Sequence, residues 1–363
     1  MPKVNYTLHL GDALETMQTL EAGSVDCVFV DLPYFGIVSE DWDNQWASRD
    51  DYLDWVVALA HEWKRITKDN SSIFIFCDEK MEAYIQVRLD EIFLLLNKIV
   101  WFKKNSLAKS ATKTFRSFAP VTERALFYEK QNSDSIVKGE HTDNFVFESI
   151  RSYLDNERKK AGVAHRTIIK ELGMTGHDTH FFSPIQWRLP LPEQYQKMRE
   201  IFKANNHGGE YLTKDYESLR QEFESLRRPF NSDNKTFDVI EWANVNVNDN
   251  TEHPTTKPLG LYRRILSVIA NPGNVVLDCC MGSGTAGVAA LELGMPFIGI
   301  ENHPPYFEIA KNRITQAALQ PGLFTASNKR QHKDLDNRPD GKQRELFNTD
   351  SGKGSFEKNT PGR

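Results

Sequence analysis

The stretch "VVLDCCMGSGTAG", residues 275–287, decides the fold. An apolar run typical of a buried strand ends at Asp278, and glycines follow just before a helical pattern that runs to about residue 293. A second apolar run at 297–300 completes a strand–helix–strand unit, which is typical of α/β proteins. Glycines at such a turn let the backbone approach a ligand closely, and the helix start offers free N–H groups. The turn therefore suits a ligand loop, although a lone G-x-G is equally common as a plain structural turn.

An acidic residue follows the second strand and narrows the choice of ligand. Glu301 ends "FIGIE", roughly twenty residues after the glycine loop, where a carboxylate suits ribose hydroxyls. The third glycine of a dinucleotide fingerprint is out of register and there is no Walker lysine, so a pyrophosphate ligand is disfavoured. S-adenosylmethionine is a nucleoside without phosphates that fits this pattern.

The first 130 residues alternate short apolar runs with amphipathic stretches such as 50–66. Strands are predicted at 5–9, 25–30, 72–77, 97–102 and 124–128. The alternation of strands and helices predicts βαβ units and a mostly parallel sheet. The alternation stops near residue 131 and resumes near residue 237.

We therefore expect one α/β domain split by a helical insertion. Its predicted parts are 1–130, an insertion at 131–234, a second half at 235–318, and a tail at 319–363 that we expect to be disordered because it is almost free of apolar residues.

Composition sets the remaining bounds on this 363-residue chain. Hydrophobic residues make up 39% and charged residues 26%, as in globular proteins, and the net charge of -5 means that any nucleic-acid surface must be local. The four cysteines lack C-x-x-C spacing, which argues against a disulfide framework or a metal site. No apolar run reaches the length of a membrane span, and no signal-peptide pattern opens the chain. These features predict a reduced, cytoplasmic protein.

Another strand-like run, "VDCVFVDLPYFG" at 25–36, ends on a carboxylate, a proline and an aromatic ring. A capping aspartate and a simple turn would explain it. The alternative is a device for gripping a planar group that carries an amine, with Asp31 as acceptor and Tyr34 as a stacking face.

With both motifs in hand, the chain resembles the amino-group DNA methyltransferases of the β type, the adenine-N6 and cytosine-N4 family of phages and restriction–modification systems. In that family a D/N/S-P-P-Y/F motif comes first, a target-recognition insertion follows, and a D-x-F-x-G-S-G-T loop comes last. "DLPY" at 31–34, "HPTTKP" at 253–258 and "DCCMGSGT" at 278–285 match in that order. Leu32 replaces a proline whose carbonyl does the work, and Cys280 replaces a phenylalanine.

The resemblance implies a Rossmann-like S-adenosylmethionine methyltransferase sheet, with the strands that end in Asp31 and Asp278 as neighbours. It implies the catalytic residues Asp31, Leu32, Pro33 and Tyr34. It implies the cofactor-binding residues Asp12, Lys257, Asp278, Cys280, Gly282, Ser283, Gly284, Thr285 and Glu301. It also implies double-stranded DNA as substrate, with a homodimer and a cognate restriction endonuclease as further partners.

A basic, Ser/Thr-rich segment at 98–130 is the best local candidate for phosphate contacts. Residues 151–203 suggest a helix-turn-helix, with "RTIIKELGM" as its first helix and turn and a following helix facing base edges. The DNA-binding candidates are Lys103, Lys104, Lys109, Lys113, Arg116, Arg166, His177, Gln186 and Arg188.

Several functions stay open. Adenine N6 is the expected target because aspartate opens the catalytic motif, but cytosine N4 is an alternative within the family. Methylation of RNA or of a protein glutamine amide uses similar acceptor motifs. A DNA-binding regulator with an inactive methyltransferase fold is the non-enzymatic alternative.

Overall fold

The computed structural model describes residues 5–36, 45–104, 118, 120–130, 146–174, 180–183, 187–205, 209–233, 235–243 and 257–319. The tail expected to be disordered lies outside these residues, apart from Leu319.

One sheet organises the described residues. Its eight strands are β1 Tyr6–Leu10, β2 Val25–Asp31, β3 Thr67–Cys77, β4 Leu94–Lys103, β5 Thr122–Glu129, β6 Val239–Trp242, β7 Val276–Asp278 and β8 Phe297–Glu301. Their spatial order is β1-β8-β7-β2-β3-β5-β4-β6. Only β5 runs antiparallel to its neighbours, β3 and β4. The predicted mostly parallel, Rossmann-like sheet is confirmed.

Ten helices are present among the described residues. They are α1 Ala13–Gln18, α2 Arg49–Ile66, α3 Glu82–Leu89, α4 Glu148–Lys160, α5 His165–Glu171, α6 Pro192–Asn205, α7 Tyr216–Leu226, α8 Leu259–Ile269, α9 Thr285–Glu292 and α10 Pro304–Leu319. No helix of this set is both long and apolar enough to cross a membrane.

Both faces of the sheet are covered, and β2 shows how the sequence achieves it. Successive strand residues point to opposite faces. Cys27 and Phe29 join a core that includes residues of α8, α9 and α10, whereas Val28 and Val30 join a core that includes residues of α1, α2 and α3. A strand buried on both faces reads as an unbroken apolar run, which is why 25–30 is so apolar.

The helices between β5 and β6 build a core of their own. It contains Ile150, Leu154, Ile168, Tyr195, Met198, Phe202 and Leu219, with Trp187 beside them. The boundaries predicted at 130/131 and 234/235 stay predictions, because all described residues fall within one compact unit.

The helix-turn-helix predicted for 151–203 is described only in part and stays a prediction. The first helix is present as α5, but His180 lies in a turn and Arg188 in an irregular segment. Trp187 turns inward, where its indole N–H donates to the Phe181 carbonyl at 2.8 Å. The next helix among the described residues starts at Pro192, a residue suited to a first helical turn. His177 and Gln186 lie outside the described residues.

Candidate active site

Asp31 and Asp278 end two neighbouring parallel strands. β2 pairs with β7 in the register Val28↔Leu277, so both strands deliver their last residues to the same edge of the sheet. The chain leaves β7 toward β8 on one side and leaves β2 toward β3 on the other. This is a topological switch point, where open α/β sheets bind their ligands.

A cleft opens at this edge of the sheet. Every residue predicted to be catalytic or cofactor-binding lines it except Gly284: Asp31, Leu32, Pro33, Tyr34, Asp12, Lys257, Asp278, Cys280, Gly282, Ser283, Thr285 and Glu301. The structure therefore brings together, in one cleft, segments that lie some 250 residues apart in the chain. Their roles stay predictions.

Lys257 lies deep in this cleft and connects its polar groups. Its side chain is 5% exposed, and its Nζ donates to Asp31 Oδ2 and, at 2.9 Å, to the Tyr34 hydroxyl. Burial alone would lower the pKa of Lys257, but Asp31 and Glu123 raise it well above its ordinary value. Lys257 is therefore a cation beside the DLPY turn, and the cofactor contact expected of it stays a prediction.

The two carboxylate oxygens of Asp31 have different surroundings. Its Oδ2 is taken by Lys257, while Oδ1 is buried and has no hydrogen-bond partner among the described residues. Burial raises the pKa of Asp31, and Lys257 opposes that rise by favouring the carboxylate. A buried acceptor without a donor is costly, so such an atom is expected to meet a donor on a ligand.

The rest of the DLPY turn is held by aromatic residues of α2. The Tyr52 hydroxyl donates to the Pro33 carbonyl at 3.1 Å, and Trp55 lines the cleft. The Leu32 side chain is fully buried, and its backbone N–H donates to the Phe76 carbonyl at 3.2 Å. The turn is thus fixed from both sides even though leucine replaces the family's proline.

The glycine loop closes the other end of the cleft. Gly282 and Gly284 have φ of 51° and 76°, which is the left-handed region that glycine enters without strain. Glu301 ties this loop to β8, since its Oε2 accepts from the Gly282 N–H at 2.9 Å and its Oε1 from the His303 N–H at 2.8 Å. Asp278 Oδ1 accepts from the Cys280 N–H at 3.0 Å.

The cleft has an excess of acidic groups. Burial raises the pKa of Asp278 well above its ordinary value, and the nearby Asp31 and Glu301 raise it further. Burial likewise raises the pKa of Glu301. With Asp12, the described cleft lining contains four carboxyls against one cation, Lys257. Such a site suits a ligand that carries positive charge.

Asp12 lines the cleft and caps α1. Its Oδ1 accepts from the Glu15 N–H at 3.0 Å, so its carboxylate has a structural partner as well as access to the cleft. Gly11 beside it donates its N–H to the Glu301 carbonyl at 3.0 Å.

The predicted DNA contacts are only partly described. Lys103 forms an ion pair with Glu123 at 2.5 Å and is one-fifth exposed, whereas Lys104 pairs with Glu241 at 3.1 Å and is half exposed. Arg188 lies 5.3 Å from the Phe181 ring centre, and Arg166 is an exposed residue of α5. The predicted contacts Lys109, Lys113 and Arg116, like His177 and Gln186, lie outside the described residues.

Two residues of the site are not among the predicted site residues. Glu123 lies within the basic segment at 98–130, where it pairs with Lys103 and lies 3.5 Å from Lys257 Nζ. Tyr262 lines the cleft, and its ring stacks on Phe76. No local sequence signal marks Glu123, because its contacts depend on the pairing of β5 with β4.

Comparison with known proteins agrees with this geometry. The family model described as DNA methylase, for N6 and N4 methyltransferases, matches residues 25–312. The DNA adenine methyltransferase YhdJ of Escherichia coli K12 is 24% identical over 318 residues, which cover 86% of this chain and 83% of that protein. The type II methyltransferase M.HpaI of Haemophilus parainfluenzae is 23% identical over 311 residues, covering 84% and 72%.

A solved structure shows the same fold. The PvuII DNA methyltransferase, which is cytosine-N4-specific, aligns with a TM-score of 0.50 and 14% identity, over 87% of this chain and 92% of that one. The resemblance found in the sequence is confirmed: the chain belongs to the DNA methylase family of amino-group methyltransferases, which depend on S-adenosylmethionine.

Proposed function

We propose that this protein transfers a methyl group from S-adenosylmethionine to the N6 amine of adenine in double-stranded DNA. The observation that carries the proposal is Asp31 Oδ1, a buried acceptor at the switch point whose partner is not supplied by the described residues. An exocyclic N–H is a donor of the required kind.

The chemistry follows from the two acceptors of the DLPY turn. An exocyclic amine is a poor nucleophile because its lone pair is delocalised into the ring. Asp31 Oδ1 and the Leu32 carbonyl are proposed to accept hydrogen bonds from the two N–H groups of the amine. These bonds localise the nitrogen lone pair, so that it is available to attack the methyl group. As the amine becomes positively charged, the Asp31 carboxylate stabilises that charge. Tyr34 provides a face on which the base stacks, worth about 1–3 kcal/mol.

The glycine-loop end of the cleft fits the cofactor. When bound, S-adenosylmethionine supplies an electrophilic methyl group on a sulfonium and so carries positive charge. Four carboxyls with one lysine suit that charge, and Glu301 retains lone pairs for ribose hydroxyls after accepting two backbone hydrogen bonds. Gly282, Ser283, Gly284 and Thr285 are proposed to let the ligand approach the backbone at the start of α9.

The choice of adenine has two supports. Aspartate, not serine, opens the catalytic motif, and the relative from Escherichia coli is an adenine methyltransferase. Either base must leave the helix to reach Asp31, because its amine is inaccessible inside a duplex.

Incubation with labelled cofactor and duplex DNA, followed by nucleoside digestion and mass spectrometry, tests the proposal. We expect N6-methyladenine from the wild type and none from Asp31→Ala. N4-methylcytosine without N6-methyladenine would overturn the base assignment. Equal transfer by the wild type and Asp31→Ala would overturn the role of Asp31, and no transfer to any DNA would overturn the enzyme itself.

DNA contacts and partners complete the proposal. We propose DNA contacts for Lys103 and Lys104 and, in the insertion, for Arg166 and Arg188. Removing one phosphate contact should reduce the slope of the salt dependence of DNA binding by about one. A homodimer, a cognate restriction endonuclease and a cytoplasmic location remain predictions. Sedimentation with and without DNA tests the dimer.

A further inference from the structure

Glu123 sits on β5, the one antiparallel strand of the sheet, and reaches the catalytic turn from that side. Its Oε1 pairs with Lys103 Nζ at 2.5 Å. Its Oε2 lies 3.5 Å from Lys257 Nζ and accepts from the Tyr34 hydroxyl at 3.3 Å. The side chain is 18% exposed, so these contacts are shielded from water.

These contacts close a ring around Tyr34. Lys257 Nζ donates to the Tyr34 hydroxyl, that hydroxyl donates to Glu123, and Glu123 faces Lys257 again. The same ammonium donates to Asp31 Oδ2. One cation therefore fixes both the carboxylate and the aromatic ring of the DLPY turn, and Glu123 fixes that cation.

The charges in this cluster balance. Asp31 and Glu123 are the two carboxylates, and Lys257 and Lys103 are the two ammonium groups. Burial raises the pKa of Glu123, but Lys257 and Lys103 outweigh it and hold that pKa below its ordinary value. Without Glu123 the cluster would carry one excess positive charge. Lys257 would then face Asp31 as its one carboxylate within the cluster.

We propose that Glu123 is a positioning residue for methyl transfer. It holds Lys257 and the Tyr34 phenol in place, so that Asp31 is gripped through Oδ2 and presents Oδ1 to the target amine. This inference rests on the proposed function. Glu123 touches neither base nor cofactor in this scheme, and acts only through Lys257 and Tyr34.

Glu123→Gln is the sharpest variant because it keeps size and an acceptor for Tyr34 while removing the charge. Loss of a charged hydrogen-bond partner predicts a fall of about tenfold or more in kcat. The KM for S-adenosylmethionine should stay within about twofold, since the glycine loop is not touched. Fluorescence of 2-aminopurine at the target position should also change, because the Tyr34 face is less well fixed; this readout needs no cofactor.

The pH profile separates positioning from a general structural defect. The charged and titratable groups around Asp31 are Lys257, Glu123, Lys103, Tyr34, Tyr262, Asp278 and Cys77. Among these, Glu123 repels the Asp31 carboxylate and raises the pKa of Asp31. Removing that repulsion lowers the pKa, so the acidic limb of kcat against pH should move to lower pH in Glu123→Gln.

Glu292→Gln is the matched control. Glu292 is 16% exposed and is paired with Arg263, so it loses a comparable ion pair outside the cleft. We expect wild-type kcat and an unmoved acidic limb from this variant, with both variants showing wild-type circular dichroism. Wild-type kcat in Glu123→Gln, a loss of kcat without movement of the limb, or an equal loss in Glu292→Gln would overturn the inference. If the wild type transfers no methyl group, the proposed function fails together with the inference. Failure of the inference alone is recognised because the wild type is then active.

Discussion

Lys257 Nζ donates to Asp31 Oδ2 although 226 residues separate the two in the sequence. The contact joins the segment before α8 to the end of β2, and Lys257 is almost completely buried. Since a buried cation favours the ionised form of a neighbouring carboxyl, Lys257 is what keeps Asp31 a usable acceptor.

We expect Lys257→Met to lose activity through Asp31. Lys257 lowers the pKa of Asp31, so its removal raises that pKa, and the acidic limb of kcat against pH should move to higher pH. Leaving one partner of a buried pair alone costs about 3–5 kcal/mol of folding stability. Because only ionised Asp31 accepts from the amine, kcat should fall about tenfold for each unit by which the pKa of Asp31 rises above the assay pH. Steady-state kinetics across the pH range measure both effects.

Lys68→Met is the control for this prediction, because Lys68 pairs with Asp26 at the opposite end of β2. It should leave the pH profile unchanged. An unmoved acidic limb in Lys257→Met would contradict the assigned electrostatic role.

Gly284→Ala should weaken cofactor binding by two combined effects. The residue has φ of 76°, and a Cβ there would lie 2.9 Å from the Ala310 Cβ, so α9 and α10 would have to separate. Gly294 has nearly the same φ, 75°, but its nearest contact would be 3.6 Å away. Both variants should lose about 1 kcal/mol of stability from the backbone, while only Gly284→Ala should raise the cofactor Kd in calorimetry. Equal Kd values for the two variants would show that the loop tolerates the close contact.

The affinity for S-adenosylmethionine should rise with pH. Burial raises the pKa of Asp278 and Glu301, so both lose protons at higher pH than ordinary carboxyls and the cleft then gains negative charge. A cationic ligand binds the ionised form better, so its Kd falls as pH rises. Asp278→Asn should flatten this dependence. S-adenosylhomocysteine, which lacks the sulfonium charge, should show a smaller slope, and equal slopes for the two ligands would exclude this explanation.

The sequence predicted the rim of the sheet well because strand ends are local signals. Asp31, Asp278 and Glu301 each follow an apolar run, and parallel strands carry their last residues to one edge. The order of the two motifs indicated the family, and the family resemblance predicted that β2 and β7 are neighbours in the sheet.

The role of Glu123 could not be predicted, because it depends on the antiparallel placement of β5. In sequence Glu123 is one acid among many lysines; in the sheet Glu123 pairs with Trp101, which brings it to Lys103 and Lys257. The helix-turn-helix predicted at 151–203 stays a prediction for a different reason. Trp187 and Phe181 are both buried and joined by a hydrogen bond, but part of the predicted recognition helix lies outside the described residues.

Glu129 and Arg228 form a buried ion pair at 3.2 Å, with side chains 1% and 5% exposed, that links β5 to the chain after α7. Breaking a buried pair leaves one charge uncompensated and costs about 3–5 kcal/mol, so Glu129→Gln should lower the free energy of unfolding by roughly that amount in urea titrations. Glu224→Gln is the control, since Glu224 and Arg227 are about half exposed at 3.9 Å and such surface pairs contribute about 0–1 kcal/mol. The double variant Glu129→Leu with Arg228→Met should recover much of the loss, because both charges go together. A double variant no more stable than Glu129→Gln would mean that the salt bridge itself, and not the removal of an isolated charge, sets the stability of this junction.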